Sequence, residues 1–171
     1  ANGGGLVYAP LGPTHLATDD IALMRALPNM TIIVPADADE MERAVLASAK
    51  YKGPIYFRVA RGGDPVVPQG EYKFEIGKAI VLKEPKDILL IATGIMVHRA
   101  LQVADKLKSE GIQAGVINVH TIKPLDVETL SRYLAITPNV ITLEEHSTIG
   151  GLGSAVAQLV AEGARHPQGQ F

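Results

Sequence analysis

The sequence predicts an α/β protein. It reads as a three-layer α/β/α domain around a mostly parallel sheet, preceded by a smaller, partial α/β unit. Short β-branched apolar runs alternate with stretches of helical length along nearly the whole chain, the pattern of a parallel sheet. Two Gly/Pro-rich stretches, residues 1–17 and 62–72, punctuate that alternation. The block after the second stretch offers four strands and three helices on its own, enough to cover both faces of a sheet.

The elements follow in order. Residues 1–17 have no period and read as loop. Thr18 can cap a helix running from Asp19 to about Leu27, with Asp19 and Asp20 suited to the positive end of its dipole. Pro28-Asn29 ends it. Thr31 to Val34 is a buried strand. Asp37 or Asp39 opens a helix to about Lys50, with Met41, Ala44, Val45 and Ala49 on one face. Gly53-Pro54 breaks it, and Ile55 to Val59 is the next strand. The 62–72 stretch, with three Gly and two Pro, is the linker. Beyond it, Ala79 to Leu82 and Ile88 to Thr93 are strands, and a helix spans Val97 to Ser109. Gly115 to Val119 is a strand, Asp126 caps a helix to Leu134, Val140 to Glu144 is a strand, and Gly153-Ser154 opens a helix to Glu162. This gives a first unit over residues 1–61, a linker over 62–72 and a second unit over 73–171. The first unit has too few elements to cover both faces of a parallel sheet, so a longer parent protein or a split enzyme is expected. The tail His166 to Phe171 has no obvious stop signal, which fits truncation there as well.

Composition narrows the function. The 171 residues carry a formal net charge of −2 and no basic stripe, which argues against nucleic acid and anionic membranes as partners. With no cysteine there are no disulfides, thiolate metal sites or cysteine nucleophiles, and a cytoplasmic protein is expected. No signal-like segment opens the chain and no apolar run approaches a membrane span.

Several residues can carry chemistry. His15 closes the turn Gly12-Pro13-Thr14-His15 just ahead of a helix start, where an imidazole can exchange protons near neutral pH or simply cap the turn. Arg61 follows a strand, at the carboxyl edge where open parallel sheets bind ligands, and its guanidinium suits a phosphate. Arg58 lies within that strand and can pair with a carboxylate. Asp19 and Asp20 serve either a ligand or the helix dipole, and Arg25, in the helix, reads as structural. Glu144-Glu145-His146 precedes a Gly-rich turn and a helix start, an arrangement that can cradle an anion. Only one His accompanies those carboxylates, too few ligands for a metal site. His120 to Asp126 reads as strand end, turn and helix cap.

The ordered set GPTH, RALPN, VPADADE and Arg61-Gly62 over residues 12–63 resembles the end of the pyrimidine-binding domain of transketolases and deoxyxylulose-phosphate synthases. HTIKPLD and LEEHSTIGGLGSAV resemble the C-terminal domain of the same thiamine-diphosphate enzymes. The resemblance implies a partial pyrimidine-binding domain followed by a transketolase C-terminal domain. It implies transfer of a two-carbon ketol unit between phosphorylated sugars, with His15 as the catalytic contact to the donor. It makes Arg61 the phosphate ligand and Asp19 a further substrate contact. In this family thiamine diphosphate and Mg are held mainly by segments absent here: the activating Glu would precede residue 1, and there is no Gly-Asp-Gly metal motif. No cofactor-binding or metal-binding residue is therefore assigned, and the chain alone is expected to be inactive. An N-terminal thiamine-binding subunit or parent chain is the expected partner, with a homodimer as the assembly, because family sites lie between subunits.

Two departures stand out. Leu11 occupies the place of an Asp that reads substrate hydroxyls in transketolases, and Gly3-Gly4-Gly5 supplies neither the His nor the phosphate-binding Arg found nearby in relatives. A different or smaller substrate than the usual pentose phosphates is thus expected. The alternatives are a part of deoxyxylulose-phosphate synthase and a non-catalytic α/β module for oligomerisation or anion binding.

Overall fold

The computed structural model describes residues 3–68 and 70–163. Gln69 and the tail whose end is in question lie outside the described residues.

Among the described residues, seven strands form two sheets. The first sheet has the order β2-β1-β6, built from β1 (Thr31–Ile33), β2 (Ile55–Phe57) and β6 (Thr121–Lys123). β1 and β2 are parallel, joined through α2 (Ala38–Ser48), while β6 runs antiparallel to β1. The second sheet has the order β3-β5-β4-β7, from β3 (Ile80–Lys83), β4 (Ile88–Ala92), β5 (Ala114–Asn118) and β7 (Val140–Leu143). Its β4, β5 and β7 are mutually parallel, and β3 is an antiparallel edge. The helices α3 (Met96–Ser109), α4 (Val127–Leu134) and α5 (Leu152–Ala161) complete this unit.

Strand periodicity explains the layers. Side chains alternate faces along a strand. Leu90 and Ala92 of β4 join Val116 and the α3 residues Val97, Ala100 and Leu101 in one cluster. Leu89 and Ile91 join Ile117 and the α4 and α5 residues Leu130, Leu134, Leu152 and Val156 in another. The expected α/β/α layering is therefore present, with α3 on one face and α4 and α5 on the other.

The second cluster does not stop at the linker. Ile21, from α1 (Asp20–Ala26), and Ile32 and Val34, from the β1 region, belong to the same core as Ile117 and Leu152. The backbone is continuous in the same sense: Val119 N–H donates to Ala92 O, and Val34 N–H donates to His120 O at 2.8 Å. The chain leaves the second sheet at Asn118, bends through Val119-His120, and enters the first sheet as β6.

Three details differ from the sequence reading. The segment read as strand end and turn contains β6, a full partner of β1. On α2 the inward face carries Glu40 and Ala44, with Ala47 packed partly below, while Val45 is 46% exposed. The N-cap of α1 is Asp19, not Thr18, and its side chain makes no capping hydrogen bond.

The 62–72 segment has no helix or strand among its described residues, but it is not a loose tether. Val67 is buried in the α3-side core, and its N–H donates to Asp37 Oδ2 at 2.6 Å. Tyr72 OH donates to Glu40 Oε1, and its carbonyl accepts from Arg43. The desolvated Tyr72 hydroxyl, beside Glu40, has its pKa raised. Truncating a buried apolar side chain of this size costs about 2 kcal/mol. Val67→Ala should therefore lower the urea midpoint accordingly, whereas an unchanged midpoint would show that the strap is undocked in solution.

His120 is fully buried, stacks on Phe74 with ring centroids 4.1 Å apart, and shares a 2.9 Å hydrogen bond with Thr121 Oγ1. Burial pushes its pKa down to about 4, against a weaker opposing pull from Asp126. The folded state thus refuses a proton that the unfolded chain accepts below about pH 6.5. Stability from this group is full at neutral pH, falls as pH drops through 6.5, and levels off near 4. Between pH 7 and 5 the loss should be about 2 kcal/mol. His120→Gln should flatten that part of the urea-unfolding profile, and an unchanged slope would count against it.

Candidate functional site

The carboxyl ends of β1 and β2 and the loop after β4 face one another. Between them lies a cavity of about 200 Å³, lined in part by Pro35, Asp37, Arg58, Ala60, Gly63 and Ile95. This is the edge at which open parallel sheets hold ligands. Pro35-Ala36 ends β1 and Asp37 caps α2, accepting from Glu40 N–H at 2.8 Å.

The three residues singled out for substrate are all exposed at the surface. His15 ends the 3-10 turn Pro13–His15, where its Nδ1 meets Thr14 Oγ1 at 3.0 Å and Nε2 is left to a ligand or solvent. Arg61 lies four residues beyond β2, between the cavity-lining Ala60 and Gly62. Its side chain makes no hydrogen bond or ion pair among the described residues. Asp19 flanks the start of α1. Leu11 is 58% exposed.

Behind this surface is a buried polar cluster. Arg58 Nε and Nη2 bind both oxygens of Asp20, at 2.8 and 3.1 Å, and Nη2 also reaches Ala17 O and Glu145 O. Tyr56 OH donates to Asp20 Oδ2 at 2.8 Å. Burial pushes the Asp20 pKa up, but the Arg58 hydrogen bonds and charge, helped by the Tyr56 hydrogen bond, outweigh it and hold the carboxyl below its usual range. The Tyr56 hydroxyl, desolvated and beside that carboxylate, is raised. Asp20 is thus the counter-ion of a buried guanidinium, beyond any dipole role. The pairing of Arg58 with a carboxylate was legible as an option; its partner, 38 residues earlier, was not.

The Glu144-Glu145-His146 run divides its labour. Glu144 accepts from Leu152 N–H and Gly153 N–H at 2.6 and 2.8 Å, so the α5 start is already filled by the chain's own carboxylate. That corrects the anion-cradle reading of the Gly-rich turn. Glu145 Oε2 accepts from Leu6 N–H at 3.0 Å. The buried His146 ring takes Ala22 N–H on Nε2 and gives Nδ1–H to Ser147 O, which fixes the Nδ1–H tautomer. Arg25 spans from α1 to Gly150 O, Gly151 O and Gln158.

The metal that anchors a diphosphate would need free carboxylates. Asp20, Asp37, Glu40 and Glu144 are all committed to internal partners, and no cluster of three His, Asp or Glu side chains able to hold a metal occurs among the described residues. These acids therefore do not fit such a centre.

Removing one partner of a buried ion pair costs about 3–5 kcal/mol. Asp20→Ala should therefore destabilise the chain by that order in urea unfolding. The Asp20 contribution is present above its unfolded pKa of about 3.9 and is lost as pH falls toward the lower folded value. A loss within error of zero would show that the pair carries no net weight.

Comparison with known proteins agrees with this architecture. The model of the transketolase pyrimidine-binding domain matches residues 4–63, and that of the transketolase C-terminal domain matches residues 77–171. A transketolase family protein of Sinorhizobium fredii is 48% identical over 91% of this chain and 46% of its own. One of the subunits of the apulose-4-phosphate transketolase of Phocaeicola vulgatus is 39% identical over 93% of this chain and 51% of its own. Among solved structures, a split-gene transketolase described as an inactive beta4 tetramer superposes with a TM-score of 0.87 at 43% identity, covering 97% of this chain and 53% of that one. The chain thus spans about half the length of these relatives. With both domain models matched in order over a fold of this kind, the chain belongs to the transketolase family.

Proposed function

We propose that this chain supplies the substrate-facing part of a thiamine-diphosphate-dependent transketolase. The enzyme transfers a two-carbon ketol unit between phosphorylated sugars, and the chain is inactive alone. The observation that carries this reading is the ordered match of both domains, joined to an exposed His15 turn and an unpartnered Arg61 at the mouth of the cavity. His15 hydrogen-bonds a donor-sugar oxygen and moves a proton there. Arg61 offers paired N–H donors to the phosphate. Asp19, also exposed, accepts from substrate hydroxyls.

Thiamine diphosphate and Mg are held mainly by an N-terminal thiamine-binding subunit or parent segment. That some relatives are named as transketolase subunits supports this arrangement. Apolar side chains left open on and beside α1, Leu23 at 61% and Ile149 at 78% exposed, support a subunit contact on that face. A homodimeric pairing of such units is the assembly we favour. Leu11 in place of an acid supports a substrate other than the usual pentose phosphates. Relatives named for apulose-4-phosphate and 6-deoxy-6-sulfo-D-fructose show how far substrates vary in the family.

The test is ketol transfer from a ketose phosphate to an aldose phosphate, with this chain joined to a thiamine-binding partner. Activity should require both. His15→Ala should lower kcat about 10²–10⁴-fold. Arg61→Ala should raise KM for phosphorylated substrates by about tenfold or more, and leave KM for their dephosphorylated forms little changed. Absence of transfer in the assembled protein, over a panel of phosphorylated ketoses, would overturn the reading.

A further inference from the structure

His15 sits on a loop with little of its own to hold it. The neck closes where Gly5 N–H donates to Ala17 O at 2.8 Å and Ala17 N–H returns to Gly5 O at 3.2 Å. Residues 6–16 between them form a compact Ω-type loop. Neither of its 3-10 turns, Ala9–Leu11 and Pro13–His15, buries a residue. Its backbone hydrogen bonds run from Ala9 to Leu6, Leu11 to Tyr8, Gly12 to Ala9 and His15 to Gly12, all inside the loop. Among the described residues one hydrogen bond leaves it: Leu6 N–H to Glu145 Oε2. Glu145 comes from the other half of the chain, just beyond β7. A Cβ at Gly5, whose φ is +79°, would collide with that carboxylate, so the neck and the acid are in close contact.

We propose that Glu145 is a positioning residue for His15: its carboxylate, carried by the C-terminal half, pins the neck of the loop and thereby sets where the imidazole stands. The proposal rests on the role given to His15 above. A buried-core anchor is missing, so the loop's order depends on its neck and on this charge-assisted bond. Arg58 Nη2 supports both sides, holding Ala17 O at the neck and Glu145 O beside the carboxylate.

The test has two arms. In the first, amide hydrogen exchange is followed in this chain. Glu145→Ala should speed exchange at Gly5 and Ala17 by roughly tenfold or more, and leave the β4 amides protected. Glu145→Gln, which keeps an acceptor oxygen, should restore most of that protection. Should Glu145→Ala also expose β4, a backbone ester at Leu6 removes only the N–H donor and must reproduce the local effect. In the second arm, ketol transfer is measured with the assembled enzyme. Glu145→Ala should lower kcat about tenfold with little change in KM, and Glu145→Gln should recover most of it. Unchanged exchange at Gly5 and Ala17 would overturn the proposal. So would a loosened loop with unchanged kcat while His15→Ala abolishes activity. An inert His15→Ala beside a loosened loop would instead overturn the catalytic reading of His15 and, with it, the purpose assigned to the clamp.

Discussion

The fold turns on one buried cation. Arg58 is 6% exposed, and a guanidinium so placed must be neutralised and fully hydrogen-bonded or expelled. Its planar fork meets both oxygens of Asp20 through Nε and Nη2, and Nη2 also reaches the carbonyls of Ala17 and Glu145. Those four acceptors come from the loop neck, the start of α1 and the end of β7. A lysine could neutralise Asp20, but it lacks the paired Nε and Nη2 donors that meet both carboxylate oxygens. Gly4 is part of the same arrangement: a Cβ there would run into the Arg58 side chain, so only glycine lets the N-terminal backbone lie across it.

Around that cation the chain places its acids with different destinations. Glu144 serves the amides of α5, Glu145 the amide of Leu6, Glu40 the backbone of Ala36 and the amide of Asn118, and Asp126 the start of α4 together with Ala79. Asp126 is held below its usual pKa by those hydrogen bonds and by Lys78, despite its burial. Acids spent inside the fold in this way are unavailable to a metal.

Much of this was legible in the sequence because it is local. The strands of the second sheet, the caps by Asp37 and Asp126, and the amphipathic α3 follow from periodicity and short-range hydrogen bonds. What escaped is long-range. Thr121–Lys123 has strand-like residues, but only its pairing with β1, some 90 positions earlier, makes it a strand. The inward face of α2 misleads because Glu40 looks like a surface residue until Asn118 and Tyr72 arrive to satisfy it. The Gly-rich turn before α5 looks ready for an external anion because nothing local says that Glu144 folds back onto it. For the site itself, GPTH and Arg61 could be named as candidates from the order of motifs. That one acid of a Glu-Glu pair reaches across to the loop bearing His15 is a fact of packing.

The strand β6 has a bearing on how such genes can be divided. It completes a sheet whose other strands precede the linker, and Ile122 on it lies in the core shared with Ile32. A break between residues 62 and 72 would not release two self-sufficient modules. One half would keep an uncovered β1 edge, and the other would carry a strand without a ladder. A cut at this linker would therefore divide one folding unit rather than separate two.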